Sequence, residues 1–295
     1  MSGYGYCIVT APRAFMYEKP DGFAIADEML AGWAAAVTGE TADRLKVLTH
    51  YGYEGWIGRE TARQATLQEI EERDRQGQLC ILTGMFTDLQ TAPTVHGEIT
   101  GTYGRGSLVT RTAERDDGYS EIVAADGSRG YMPSVAMKKR TDSDCYLESG
   151  CDSSVFDRIA GQRTDSLGIE RLRGLITSAA ERYLGTQYRW GGKGADGIDC
   201  SGLAFMSYML SGVLIYRDAS IEAGYPVHEI PRDRLEPADL IFFRGHVAVY
   251  LGNGRYIHST GYRESCGCVI NSLLSDSPDY RQDLAEGILH TGSIF

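Results

Sequence analysis

The sequence has little that would take the chain into a membrane or onto nucleic acid. Its most apolar stretch, Ala204 to Tyr216, contains two serines and a glycine. It falls well short of the roughly 20 apolar residues a spanning helix needs. Positive charge is scarce: 29 Lys and Arg stand against 40 Asp and Glu, a net charge of −11. A nucleic-acid binder needs a basic face, and none is present. The same deficit argues against adhesion to an anionic wall or membrane. The opening residues, MSGYGYCIVTAPR, lack the basic and then apolar regions of a secretory signal. The seven cysteines are odd in number and scattered, which excludes a simple disulfide framework. These absences together lead to the expectation of a reducing, cytoplasmic setting. Proline is also sparse, with 8 residues against 36 glycines and 18 tyrosines, a balance suited to short strands and tight turns beside helix. A hydrophobic share of 42% and a charged share of 23% are ordinary for globular chains and exclude wholesale disorder.

At 295 residues the chain has room for two domains, or three if some are small. The N-terminal half carries a faint internal repeat. Ala11-Pro12 is followed by Gly52-Tyr53-Glu54-Gly55-Trp56-Ile57, and Ala92-Pro93 by Gly127-Ser128-Arg129-Gly130-Tyr131-Met132. Each closing motif follows a strand-like run, Leu45–Thr49 and Glu121–Ala125, and turns through glycine into an aromatic. Two copies of a small strand-rich unit account for this pattern. The polar, helix-prone segment Thr61–Gln78 is expected to join them. The Ser/Asp-rich segment 141–170 reads as a linker. Beyond it, Leu172, Leu175, Ile176, Ala179, Ala180 and Tyr183 form one face of an amphipathic helix, with Gly185 as its expected C-cap.

The sharpest chemical signal is Tyr188-Arg-Trp190-Gly-Gly-Lys-Gly-Ala-Asp-Gly-Ile-Asp199-Cys200-Ser201-Gly202, followed by the apolar run LAFMSYML. A polar, glycine-rich loop thus delivers a cysteine to the start of a buried helix. Unpaired backbone N–H groups and the positive dipole end there favour a thiolate and stabilise an oxyanion. A nucleophilic cysteine wants an imidazole base and a group to orient it. Two of the six histidines share one unit, Gly245-His246-Val-Ala-Val-Tyr-Leu-Gly252-Asn-Gly-Arg-Tyr-Ile-His258, which reads as strand, turn, strand. Val247, Val249 and Leu251 take one face, leaving His246, Ala248 and Tyr250 on the other. A two-residue Asn253-Gly254 loop would pair His258 with Val249, on the wrong face. A three-residue loop or a bulge would pair it with Ala248, on the face of His246. That parity supports Cys200 as nucleophile, His246 as base and His258 as its orienting partner. Two same-face histidines also fit a metal pair, but zinc takes three or four protein ligands and no HxxxH or CxxC stands near.

From about Leu175 to Gly261, these motifs resemble the NlpC family of bacterial cell-wall cysteine peptidases. Tyr188-x-Trp190-Gly-Gly, Asp199-Cys-Ser-Gly202, the run Pro237–Phe243 and Gly245-His-Val-x-Val-Tyr-Leu-Gly252 stand in the family's order. Ala238 departs from it, where the family usually has glycine before the Asp. The resemblance implies an α+β fold: a papain-like NlpC domain over 171–295. Each N-terminal copy resembles a bacterial SH3-like domain, one over 1–75 and one over 80–140. Gly32 and Gly106 stand where that domain's middle glycine is expected. The whole arrangement is similar to the γ-D-glutamyl-L-diamino acid endopeptidases, the dipeptidyl-peptidase VI type.

Such a resemblance implies a cysteine peptidase that needs no cofactor and no metal. It implies release of L-Ala-γ-D-Glu from murein tripeptides or tetrapeptides with a free N-terminal L-Ala, with catalytic Cys200, His246 and His258. The first SH3-like domain is then expected to close the non-prime side of the cleft. Asp199, Glu28 and Tyr53 would meet the substrate amine, Ser201 and Ser220 the D-Glu portion, while Tyr188 and Trp190 wall the cleft. Asp199 is equally natural as a helix N-cap. Glu222 stands where the subfamily often has Gln. The expected partner is the murein peptide alone, without nucleic acid or membrane, and a monomer is the favoured state. Three other readings are an enzyme secreted to act on intact wall, a non-catalytic wall-binding protein built on the SH3-like units, and an acyl transferase using the same thiol.

Overall fold

In the computed structural model, which describes residues 5–75 and 78–295, the chain divides into two units between Cys151 and Asp152. The first unit contains two runs of seven strands. One comprises β1 (Tyr6–Val9), β2 (Arg13–Tyr17), β3 (Ile25–Leu30), β4 (Ala34–Glu40), β5 (Arg44–Thr49), β6 (Glu54–Gly58) and β7 (Ala62–Ala65). Helix α1 (Leu67–Arg75) follows, inside the segment expected to join the copies. The other run comprises β8 (Leu79–Leu82), β9 (Phe86–Gln90), β10 (Ile99–Gly104), β11 (Leu108–Glu114), β12 (Tyr119–Val123), β13 (Arg129–Pro133) and β14 (Met137–Lys139). The sheet orders are β3-β2-β6-β5-β4-β1-β7 and β10-β9-β13-β12-β11-β8-β14. Shifted by seven strands, they are the same order, so the faint repeat in sequence is a repeat in topology. Both sheets are compatible with SH3-like barrels.

Alternation places the core of each repeat. In β5, Leu45, Val47 and Thr49 turn inward between half-buried neighbours, and in β12 Ser120 and Ile122 do the same. The two middle glycines have a positive φ, +81° at Gly32 and +90° at Gly106. They also lie where the repeats meet. A Cβ on Gly32 would come within 2.2 Å of the Leu108 carbonyl oxygen. The Leu108 amide donates to the Ala31 carbonyl (2.8 Å), and Trp33 Nε1 donates to the Gly106 carbonyl (2.9 Å). A side chain at Gly32 is therefore excluded both by the backbone angle and by the close approach.

The segment 141–170, expected as a linker, is ordered. Asp142 and Asp144 are buried against Arg140, and Arg73 reaches Asp144 at 3.1 Å. Helix α2 (Cys145–Glu148) closes the first unit and α3 (Ser154–Leu167) opens the second. In α3, Val155, Phe156 and Ala160 are buried, and Arg163 Nε donates to the Ser211 carbonyl (2.8 Å). Ser and Asp are abundant here because they end helices and pair with buried arginines. Composition alone does not separate those duties from a flexible connection.

The second unit continues with α4 (Ile169–Glu181), a short hairpin of β15 (Lys193–Gly194) and β16 (Gly197–Ile198), and α5 (Cys200–Met209). Then come β17 (His228–Ile230), β18 (Leu240–Phe243), β19 (His246–Gly252), β20 (Arg255–Thr260), β21 (Gly267–Ser272), α6 (Gln282–Glu286) and β22 (Ile288–Ser293). The antiparallel sheet runs β17-β22-β18-β19-β20-β21. Helix α4 packs on α5, and α5, buried at every residue, packs on β19 and β20. Helix α4 is capped at Arg182 rather than at Gly185. Gly185, with φ +80°, sits in the turn beyond, and its N–H donates to the Cys268 carbonyl at 2.9 Å. Among the described residues no helix is long and apolar enough to cross a membrane. All seven cysteines are free.

Candidate active site

Cys200 is the first residue of α5 because Asp199 caps it. The Asp199 carboxylate accepts from the Gly202 amide at 2.6 Å, satisfying one of the orphan N–H groups of the first turn. Its other oxygen accepts from the Gly191 amide at 2.8 Å, which fastens the glycine-rich loop to the helix start. Gly202 is obligatory here: a Cβ would come within 2.1 Å of the Gly192 carbonyl oxygen. The loop-helix junction is thus set by the Gly-Gly pair, the Asp and the glycine two residues past the cysteine.

The histidines are set by the hairpin. Strands β19 and β20 pair Val249 with Ile257 and Tyr250 with Tyr256, and the register then shifts by one before Gly252 meets Arg255. The bulge falls at Leu251, followed by a two-residue turn of Asn253 (φ 53°) and Gly254 (φ 73°). The parity argument required such an irregularity. It brings His246 and His258 to one side of the sheet, with His246 Nε2 2.7 Å from His258 Nδ1. Phe243 and Tyr256, which cluster with Ile241 and Ala248, pack against the two imidazoles, with ring centroids 5.7 Å from His246 and 5.3 Å from His258 respectively. The second nitrogen of His258, Nε2, lies 2.9 Å from Asn271 Oδ1 on β21.

Helix and hairpin meet at the cysteine. The backbone amides of Val247, next to His246, and of Ser201 hydrogen-bond the Cys200 sulfur. Ser259 Oγ donates to the Ile198 carbonyl at 2.6 Å, tying the strand of His258 to the segment just ahead of Cys200.

The burial of this site opposes the expected thiolate. Burial, reinforced by the negative charge of Asp199, pushes the Cys200 thiol up to about 11 despite those two amides. Burial pulls His246 down to about 3, with His258 and Arg281 adding to the effect. His258 falls to about 4, again chiefly by burial. The helix terminus does favour the anion, but removal of water outweighs it. Both shifts run toward the neutral forms, thiol and imidazole.

The carried-over substrate residues divide. Asp199 shows its capping role, and its charge is already met by Arg217, whose Nη1 and Nη2 lie 3.2 Å from its two oxygens. That buried ion pair holds the carboxylate beside the cysteine. Arg217 Nη1 also donates to Ser201 Oγ at 2.7 Å. Ser201 and the exposed Ser220 line a small pocket with Tyr216, Asp218, Val227 and Val247. Tyr188 is half-buried and pushed up to about 12 by burial and by the neighbouring Cys200. Trp190 is 67% exposed, so core packing does not explain it. In the first unit, Glu28 on β3 is fully buried with an Arg13 nitrogen at 3.9 Å, and Tyr53 lies half-buried in the turn between β5 and β6.

Sequence reasoning missed Arg217 and Asn271. Arg217 stands in a loop with no periodic pattern, so nothing local marks it. Asn271 could have been found by extending strand parity one strand further: it pairs with Tyr256, two residues from His258 on the same face.

The NlpC/P60 family profile matches residues 185–276, which span the loop, the cysteine, both histidines and Asn271. The chain is 34% identical over 300 residues to a dipeptidyl-peptidase 6 of Lysinibacillus sphaericus, covering 98% of this chain and 99% of that one. It is 30% identical over 118 residues to a γ-D-glutamyl-L-lysine dipeptidyl-peptidase of Bacillus cereus, covering 37% of this chain and 34% of that one. The fold is similar to the crystal structure of an NlpC/P60 family protein from Bacillus cereus, with TM-score 0.72, 18% identity, and coverage of 97% and 98%. With the junction and the histidine pair already in place, the full-length similarity settles the matter: this chain belongs to the NlpC/P60 family of cysteine peptidases.

Proposed function

We propose that the protein hydrolyses the bond between γ-D-Glu and the following diamino acid in murein peptides with a free N-terminal L-Ala. It releases L-Ala-γ-D-Glu and serves the recycling of wall peptides in the cytoplasm. The observation that carries this reading is the end-to-end similarity to a dipeptidyl-peptidase 6, which includes the N-terminal repeats as well as the peptidase unit. The acidic balance of the sequence agrees with a small soluble substrate rather than an anionic wall.

In this mechanism Cys200 attacks the γ-carbonyl carbon of D-Glu while the free nitrogen of His246 takes the thiol proton. The oxyanion forms at the first turn of α5, where amide hydrogens and the helix dipole face it. The His246 imidazolium gives its proton to the departing amine of the diamino acid, and the carbon–nitrogen bond breaks. Water then attacks the thioester as His246 takes its proton, His246 returns that proton to the sulfur as it is expelled, and the dipeptide acid loses its own proton to solvent to leave as its carboxylate.

The decisive assay compares free tripeptide, N-acetylated tripeptide and intact sacculi. Fast cleavage of the free tripeptide with little of the other two is expected. Equal rates on free and acetylated peptide would overturn the amine requirement, and efficient cleavage of sacculi would favour an enzyme acting on intact wall. Glu28→Gln and Tyr53→Phe are the variants that test amine selectivity.

A further inference from the structure

We propose that Asn271 is a positioning residue that sets the tautomers of both histidines, through His258, so that His246 presents a bare nitrogen to the thiol. The inference deepens the catalytic reading of Cys200, His246 and His258 and rests on it.

Donor and acceptor capacities fix the tautomers. Asn271 Nδ2 donates to the Asp279 carbonyl at 3.0 Å, and that same carbonyl accepts the Ser272 amide at 3.0 Å. A carbonyl oxygen only accepts, so the amide group of Asn271 can stand only one way round. Its Oδ1 therefore faces His258 Nε2, at 2.9 Å. Oδ1 also only accepts, so His258 carries its proton on Nε2. A neutral imidazole has a single ring proton, which leaves His258 Nδ1 as an acceptor. Across the 2.7 Å contact, His246 Nε2 must then be the donor. The remaining nitrogen of His246, Nδ1, is bare and able to take a proton.

Without Asn271 this chain of constraints loses its anchor. His258 is then free to hold its proton on Nδ1 and donate toward His246 Nε2. His246 in turn carries its proton on Nδ1, the nitrogen needed as the base, and the pair is intact but useless. An amide suits the task better than a carboxylate. Both accept from Nε2, but a carboxylate also stabilises the imidazolium and raises the histidine pKa. The charged groups already acting on the pair are Arg281, which lowers both histidines, and Asp283, which raises His258. Tyr256 packs edge-on against His258 at 5.3 Å.

The test joins nitrogen NMR of 15N-histidine-labelled enzyme with kinetics of Asn271→Leu and Asn271→Asp. In the unaltered enzyme His258 should show a protonated Nε2 and a bare Nδ1. Asn271→Leu should lower kcat about ten- to hundredfold, the scale on which losing the partner of a functional imidazole is felt. Its KM should stay within about twofold, since ground-state binding is untouched. Asn271→Asp should keep most of kcat at high pH and move the acidic limb of kcat/KM upward by about one pH unit. A His258 protonated at Nδ1, or an Asn271→Leu enzyme with unaltered kcat, overturns the proposal. Should Asn271→Leu fail to fold, the spectrum of the unaltered enzyme and the Asn271→Asp profile decide. Cys200→Ala and His246→Ala separate the two levels. If either keeps turnover, the catalytic reading itself fails. If both are dead while Asn271→Leu is fully active, that reading stands and only the role of Asn271 falls.

Discussion

Two clusters of buried titratable groups, one in each unit, respond to burial in opposite ways. In the first, Asp142 and Asp144 lie against Arg140, with Arg73 and His50 close by. Burial alone would raise both carboxyls, yet the arginines hold them below the usual carboxylate range. In the second, Cys200 and His258 are buried and His246 partly so, with no full charge bonded to them. Burial then wins, and all three shift toward their neutral forms. The difference teaches what each region is built for. A carboxylate between guanidiniums keeps its charge and locks a structure, whereas a line of neutral hydrogen-bonded rings keeps a proton movable.

Removing the chemistry itself should have the largest effect. Cys200→Ala is expected to lower kcat by at least about 10⁴-fold. Calorimetry or far-UV circular dichroism should show the second unit still folded, because alanine is a good first helical residue after the Asp199 cap. Next comes the ion network. Asp144→Asn leaves Arg73 and part of Arg140 buried without an anion, and should cost the first unit about 3–5 kcal/mol in urea unfolding. A change below about 1 kcal/mol would remove the contrast between the units.

Acid titration sharpens it further. Histidines whose folded pKa lies below the ordinary 6.5 bind protons more readily when unfolded, so they favour the fold only while neutral. The stability of the second unit should therefore fall as pH drops below about 6.5, and continue falling toward the folded values near 3 and 4. Asp142 and Asp144 are lowered from 3.8, so their contribution is present above that value and is lost only as pH falls beneath it. Tryptophan and circular-dichroism melts from pH 7 to 3 should show the second unit weakening first. Simultaneous loss would contradict the assignment. The smallest effect concerns Ala238, which holds φ +76° while fully buried, its amide bonded to the Tyr250 carbonyl at 2.8 Å. A left-handed alanine is strained, so Ala238→Gly should raise stability by about 1 kcal/mol, seen as a higher Tm.

Much of the site was legible because its rules are short-range. The glycine-rich loop, the Asp cap and the apolar run located Cys200 at a helix start. Strand parity demanded the irregularity that the bulge at Leu251 supplies. The turn glycines of the repeats marked two like units before any strand order was known. The boundary between the units falls inside the segment 141–170 read as a linker, but its helices and the burial of Asp142 and Asp144 were not legible, because a Ser/Asp-rich composition does not distinguish ordered from unordered connections. The upward shift of the thiol was not legible, because a helix N-terminus is visible in sequence and the depth of burial around it is not.

The amino-acid order by itself determined which residues meet: a cysteine after its cap, and two imidazoles brought to one side by a hairpin of odd register. These follow from periods of two and from the first helical turn, both read within a dozen residues. Only the tertiary structure decided their protonation, the Arg217 partner of Asp199, and the Asn271 anchor that selects a tautomer. Those depend on how much water is excluded and on which distant residue supplies the last acceptor, and neither quantity is local.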